Sequence, residues 1–269
     1  MILVNGHPAQ TVDALDRGLA YGDGVFRTLR TLGGQPLWWR DQYAKLAEDC
    51  AALRLACPDE AQLCAEVCRV AAAGEGVAKI VITRGAGARG YAPPQDPACT
   101  RIVLAAPLPA YARPDAPADI VARWCTLRLA RQPRLAGIKH LNRLENVLAR
   151  SEWDDPAIFE GLLCDDSGAV IGGVMSNLLI AKAGELFTPD LGQCGVAGVA
   201  RTRLLRAMAR RGTNIHIGRL PPDAILAADE VMLCNSVIGV RRVGRLDDVT
   251  WTPAGWTPLL NDALNEDVD

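Results

Sequence analysis

The chain has 269 residues, 49% hydrophobic and 22% charged, with a formal net charge of -2. That length supports one large domain or two smaller ones. The near-neutral balance, without a basic block, excludes an electrostatic footprint for nucleic acid, and no apolar run reaches membrane-span length. Met1-Ile2-Leu3-Val4-Asn5-Gly6 lacks the basic start of a secretory leader. It reads as an edge strand over residues 1–5 ended by Asn5-Gly6, a hairpin signal. Gln35 to Trp39 reads as a short strand. Asp41 is placed to cap a helix carrying Tyr43, Leu46, Cys50, Leu53 and Leu55. A second helix is expected from Asp59 to about Ala73, with Leu63, Val67 and Val70 on one face. Val77 to Thr83 alternates as a strand does, and Arg101 to Ala105 is another.

Pro107 to Pro117 contains prolines at 107, 109, 114 and 117, a density that no regular element survives. It reads as a linker over 107–118, between a small N-terminal α/β domain (1–106) and a larger C-terminal domain (119–269). Beyond it come a strand from Ile120 to Trp124 and then Gly137-Ile138-Lys139-His140-Leu141-Asn142-Arg143-Leu144-Glu145. Leu141, Leu144, Val147 and Leu148 recur at helical spacing, which puts Lys139 at the entrance to a helix. Strands are expected at Ile158 to Cys164, Val170-Ile171, Leu178 to Ala181, Leu186-Phe187 and Glu230 to Cys234. Helices are expected at Ala200 to Arg211, after Pro221-Pro222-Asp223, and from Trp256 into an acidic tail. The pattern is α+β, not doubly wound, and the glycines of Gly85 to Gly90 have the wrong offsets for a dinucleotide loop.

Nine cysteines without a leader point to a reducing compartment, the cytoplasm. Cys50, Cys57, Cys64 and Cys68 read as small apolar fillers on helix faces. The three histidines, His7, His140 and His216, lack a paired-ligand spacing, so no metal site is expected.

A lysine in a partly dry pocket keeps an amine that attacks carbonyls, whereas a lysine at a solvated helix start does nothing of the kind; Lys139 admits both readings. Thr83-Arg84-Gly85 and Arg89-Gly90-Tyr91 bring two guanidinium forks and a phenol together. They form either a clamp for an anionic substrate or a solvated surface loop. Gly195-Val196-Ala197-Gly198-Val199-Ala200 leads into a helix whose first N–H groups suit a phosphate, or is an ordinary glycine-rich helix entry. Ser176-Asn177 is a polar pair inside an apolar stretch, which needs partners if buried.

Together these segments resemble the 4-amino-4-deoxychorismate lyases of the fold-type IV pyridoxal-phosphate enzymes, relatives of the branched-chain and D-amino-acid aminotransferases. The resemblance runs over nearly the whole chain. It is carried by Asp16 to Phe26, Thr83 to Tyr91, Leu135 to Glu145, Ser176-Asn177-Leu178, Gly195 to Gly198 and Leu233-Cys234-Asn235-Ser236. It implies the two-domain fold of that class and a covalent bond between Lys139 and pyridoxal 5'-phosphate, with Lys139 then serving as acid and base. It also implies phosphate contacts from Lys45, Val199, Ala200 and Ser236, and Asn177 beside the ring hydroxyl. Thr28 would help deliver a proton to the departing enol, and Arg84, Arg89 and Tyr91 would bind the substrate carboxylates. The implied reaction eliminates pyruvate from aminodeoxychorismate, leaving 4-aminobenzoate for folate synthesis, in a homodimer.

The chain departs from the family at four places. Gly172 stands where a glutamate meets the pyridine nitrogen, and Lys45 where an arginine meets the phosphate. Arg27 follows Phe26, and Arg241-Arg242 replaces an apolar-proline pair. Besides the lyase, the residues leave open a cofactor-free lyase, a non-catalytic anion-binding scaffold and an aminotransferase. Asp165, Asp166 and Glu145 are candidates to replace the missing acid.

Overall fold

A computed structural model describes residues 1–71, 74–113 and 115–266. The chain forms two compact units, Met1–Pro114 with Ile138–Asn142, and Asp115–Gly137 with Arg143–Asp269. Lys139 therefore belongs to the unit built by the N-terminal half, not to a domain over 119–269.

The first unit begins with β1 (Ile2–Val4) and β2 (His7–Pro8), joined by Asn5 and Gly6 at φ 51 and 82, the positive values a tight hairpin turn requires. There follow α1 (Arg17–Tyr21), β3 (Gly24–Leu32), β4 (Gln35–Pro36), α2 (Trp39–Ala52), α3 (Glu60–Val70), β5 (Gly76–Thr83) and β6 (Arg101–Pro107). The six strands form one antiparallel sheet in the order β2-β1-β6-β5-β3-β4. Strand alternation sends Val25, Leu29, Ala78, Ile80 and Ile82 to one face, where Leu46 and Cys50 of α2 and Leu63 and Val67 of α3 complete the core. Phe26, Thr28 and Lys79 point to the opposite face. Trp38, in the left-handed conformation, turns the chain out of the short β4, so α2 starts at Trp39 and Asp41 lies in its first turn rather than at its cap. Asp59 does cap α3, accepting from the Gln62 N–H at 3.0 Å. That helix ends at Val70, and Ala73 lies outside the described residues. Pro107 still pairs in β6, and Ala110–Ala112 form a single tight helical turn, so the proline stretch is not wholly irregular. Pro114 is also outside the described residues.

The second unit holds β7 (Asp119–Leu129), α4 (Leu144–Arg150), β8 (Ile158–Asp165), β9 (Val170–Gly173), β10 (Asn177–Lys182) and β11 (Glu185–Pro189). After them come α5 (Val199–Arg210), β12 (Ile215–Gly218), α6 (Pro222–Leu226), β13 (Glu230–Asn235), β14 (Gly239–Leu246), β15 (Val249–Thr250) and α7 (Trp256–Asn265). Its nine-stranded sheet runs β12-β11-β10-β13-β14-β7-β8-β9, with β15 on β14. The pairings β11–β12, β14–β7 and β7–β8 are parallel and the others antiparallel. Leu162, Leu178, Ile180, Val231 and Leu233 form the core of one face, and Leu163, Ile171, Leu191 and Cys194 lie in a second cluster. The tail beyond α7, at 267–269, is outside the described residues. Among the described residues no helix is long and apolar enough to cross a membrane.

Candidate active site

In the first unit the site is built on the start of β3. Lys139 is not at the mouth of a helix, because α4 begins only at Leu144. Residues 139–141 lie instead beside Gly24 to Phe26, with His140 bridged antiparallel to Val25. The Phe26 N–H donates to the Lys139 carbonyl at 3.0 Å, and the Leu141 N–H to the Gly24 carbonyl at 2.9 Å. Gly137, at φ 76, turns the chain into this segment. Lys139 is half-buried, and its Nζ lies 4.5 Å from the centre of the Phe26 ring, a cation–π contact. The Lys79 Nζ lies 5.1 Å from the same ring. Thr28, paired in register with Lys79, is half-buried on this face. The open face of the sheet thus gathers two amines, an aromatic ring and a hydroxyl.

The helix-covered face of the same strand carries Arg27, and α2 carries Lys45 and Asp49. Lys45 Nζ donates to Glu48 Oε1 and to Asp49 Oδ1, both at 2.7 Å. Arg27 is buried and ion-paired with the fully buried Asp49. Asp49 Oδ2 also accepts from the Lys139 N–H at 3.2 Å. Asp49 was not singled out from the sequence, although its place four residues after Lys45 on a helix was a legible pairing signal.

The expected carboxylate clamp is not assembled. Arg84 gives Nε and Nη2 to Asp23 at 2.8 and 3.0 Å and gives the rest of its fork to the Leu53 and Arg54 carbonyls at 2.8 and 2.9 Å. Its donors are spent on holding the loop after α2 to the start of β3. Burial pushes the Asp23 carboxyl up, but Arg84 and Arg17 outweigh it and leave Asp23 below the usual carboxylate range. Arg89 is exposed, and Tyr91 is 86% exposed, its ring 5.5 Å from that of Tyr21.

In the second unit the glycine loop enters α5. Gly198 at the cap position gives its N–H to Asn177 Oδ1 at 3.1 Å, and Asn177 Nδ2 donates to the Val196 carbonyl at 2.8 Å. A Cβ on Gly198 would stand 2.3 Å from Asn177 Oδ1, so any larger residue there must displace the Asn177 side chain. The first intrahelical bond is from the Thr202 N–H to the Gly198 carbonyl. The N–H groups of Val199, Ala200 and Arg201 precede it at the positive end of the helix dipole, the arrangement that holds a phosphate. Ser236 is half-buried after β13, where Asn235 Oδ1 caps the turn by accepting from Val237 and Ile238.

Each of the three carboxylates expected to stand in for one at Gly172 is committed elsewhere. Asp165 caps its own turn through Ser167 and Ala169, Asp166 pairs with Arg131, and Glu145 accepts from the Ala130 N–H. The buried acid nearby is Glu160, which accepts from Ser176 Oγ at 2.7 Å and from the Gly161 and Met175 N–H groups. Gly172 pairs with Leu163, whereas Glu160 lies three residues away on the same strand, so the two face opposite sides of the sheet. A Cβ at Gly172 would also meet the Ser176 carbonyl oxygen at 2.9 Å. Arg241 and Arg242 are likewise structural: Arg241 donates to the Pro117 carbonyl at 2.7 Å, and Arg242 pairs with Asp119 and donates to Trp251.

Taken separately, the start of α5 in the second unit presents N–H donors of the kind a phosphate takes, and Lys139 in the first an amine of the kind an aldehyde takes. Position 172 offers no carboxylate for the ring nitrogen of pyridoxal phosphate.

Residues 24–246 match the amino-transferase class IV family. An aminodeoxychorismate lyase from Vibrio harveyi is 33% identical over 244 residues, 90% of each chain. The crystal structure of 4-amino-4-deoxychorismate lyase from Pseudomonas aeruginosa covers 100% of both chains at 44% identity, with a TM-score of 0.92. The PLP-bound form of a hypothetical aminotransferase from Mycobacterium tuberculosis shares the fold, with a TM-score of 0.82 at 21% identity over 98% of this chain and 97% of its own.

Proposed function

Because the chain belongs to the amino-transferase class IV family, we propose that it is a pyridoxal-phosphate-dependent lyase. It converts 4-amino-4-deoxychorismate to 4-aminobenzoate and pyruvate, a step towards folate. The observation that carries this reading is the likeness, end to end at 44% identity, to the lyase of Pseudomonas aeruginosa.

Pyridoxal phosphate, when bound, supplies a sink for the electron pair released as the substrate's C–H bond breaks. The N–H groups of Val199, Ala200 and Arg201, with Ser236, would hold its phosphate. Asn177, which fixes the loop that leads into the helix, would lie beside the ring hydroxyl. Lys139 would hold the cofactor's aldehyde end and would serve as the base for the proton on the carbon that bears the substrate amine. The Phe26 ring, 4.5 Å from the Lys139 amine, covers one side of it and fixes its direction. Thr28, on the same face of the sheet, gives a proton to the enol that leaves as pyruvate. Lys79, also on that face, is a cation for a substrate carboxylate, a role that the committed bonds of Arg84 leave open.

Gly172 bears on which reaction runs. Without a carboxylate at its nitrogen the ring is a weaker sink. Loss of one preorganised charge contact costs about 3 kcal/mol of transition-state stabilisation, or roughly two orders of magnitude in rate. An elimination that ends in an aromatic ring has driving force to offset this. A transamination has none, so the glycine favours the lyase over the aminotransferase.

The protein is a homodimer in this reading. Leu144, Val147 and Leu148 of α4 are 57–76% exposed, an apolar helix side suited to a second copy. The nine free thiols suit the reducing cytoplasm.

The test is direct. The protein mixed with pyridoxal phosphate should turn yellow, and borohydride should fix the cofactor to the tryptic peptide holding Lys139. Aminodeoxychorismate should yield 4-aminobenzoate and pyruvate in equal amounts. Lys139→Ala should abolish the label and lower kcat by at least about a thousandfold, the scale of losing a covalent group that is also the base. Undiminished 4-aminobenzoate formation by Lys139→Ala would defeat the reading.

A further inference from the structure

Asp49 is fully buried between α2 and the sheet, and three groups converge on it. Lys45 reaches Oδ1 at 2.7 Å, Arg27 pairs with Oδ2, and the Lys139 N–H donates to Oδ2 at 3.2 Å. Arg27 occupies a position of β3 that its neighbours Val25 and Leu29 fill with apolar side chains, and it is itself only 3% exposed. A guanidinium in such a place is costly unless a carboxylate answers it, and the carboxylate is equally costly without the guanidinium. The two departures from apolar expectation therefore belong together.

Their common product is the fixing of one peptide segment. Residue 26 turns its side chain to the open face, puts its ring under the Lys139 amine and gives its N–H to the Lys139 carbonyl at 3.0 Å. Residue 27 turns the other way and holds the carboxylate that takes the Lys139 N–H. The peptide groups on both sides of the Lys139 Cα are thus held, one by main chain and one by a buried side chain. With both held, the direction of the side chain over the ring follows.

We propose that Asp49 is a positioning residue for Lys139, and that Arg27 is the counter-charge that keeps its carboxylate against the Lys139 N–H. The proposal rests on the reading that Lys139 is the reacting amine. It assigns Arg27 a different task from cofactor binding: the guanidinium acts through Asp49 on the lysine backbone.

The test compares two double variants of the full chain that both remove the buried charge pair. Arg27→Gln/Asp49→Asn keeps an oxygen that can accept from the Lys139 N–H, and Arg27→Gln/Asp49→Ala does not. Two quantities are read on each folded protein and on the wild type: deuterium exchange of the Lys139 amide without cofactor, and the rate at which pyridoxal phosphate becomes fixed to Lys139 under borohydride. One hydrogen bond is worth about fivefold in such an equilibrium. The Asp49→Ala double variant should therefore exchange about fivefold faster than the Asp49→Asn one and take the label correspondingly more slowly. The Asn variant should stay within about twofold of wild type. Equal exchange and equal labelling in the two double variants overturn the proposal. Should the wild type take no label at Lys139 at all, the assigned chemistry falls, and the exchange comparison alone decides whether Asp49 holds the backbone. Should both double variants fail to fold, the comparison moves to Asp49→Asn against Asp49→Ala, with the same outcomes deciding.

Discussion

Burial pushes the Glu160 carboxyl up to about 7, against the pull of the Ser176 hydroxyl and three backbone N–H groups. A carboxyl raised in this way favours the folded state when protonated. Its contribution is complete below the unfolded value near 4.5 and is lost as the pH rises through about 7. Glu160→Gln removes the titration. It should raise stability above pH 7 by up to about 3 kcal/mol, at about 1.4 kcal/mol per pH unit, and should change little below pH 4.5; melting temperatures of both proteins from pH 4 to 8 check this. Gly198 is argued from contact rather than charge. Gly198→Ala forces Asn177 off its bonds to the Gly198 N–H and the Val196 carbonyl. Two hydrogen bonds at about 1 kcal/mol each predict a loss of about 2 kcal/mol in thermal stability. A spectral titration should show weaker uptake of pyridoxal phosphate by about tenfold or more.

In the proposed reading the segment at 139–141 is the element on which the chemistry turns, and its strength lies in main-chain bonds to β3. Leu141→Pro removes the donor that reaches the Gly24 carbonyl at 2.9 Å. It should slow labelling of Lys139 by about fivefold or more while circular dichroism stays that of the parent; unchanged labelling would show that Leu141 pairing does not hold the lysine. This element was misread from sequence because Leu141, Leu144, Val147 and Leu148 keep helical spacing. The helix they imply exists only from Leu144 onward, with its apolar side outward rather than in the core. The two longest of the missed strands were missed for a related reason. β3 and β14 carry Arg27 and Arg242 at buried positions, so their alternation of apolar and polar residues is broken where an ion pair substitutes for packing. Elements whose pattern is intact, such as β5, β8, β10 and α3, were legible to within a few residues. The glycine loop before α5 and Lys139 were found as candidates. Asp49 and the Phe26 ring were not, because their meaning lies in contacts between distant segments.

At the scale of the whole molecule, the exposed Leu144, Val147 and Leu148 predict association. Leu144→Glu/Val147→Glu should shift the protein from dimer to monomer in sedimentation at micromolar concentration, since two charges cannot be desolvated at an apolar contact. A parent chain that sediments as a monomer would remove the dimer from the reading. The path of the chain has a further result. It leaves the first unit near residue 114, returns to it only for Ile138–Asn142, and departs again. During translation the antiparallel sheet emerges before Ile138, which completes its core, and before Lys139, the nucleophile of the proposed reading. On that reading a polypeptide ending short of Lys139 lacks both the last piece of this core and its reacting amine, so order and reactivity arrive with the same five residues.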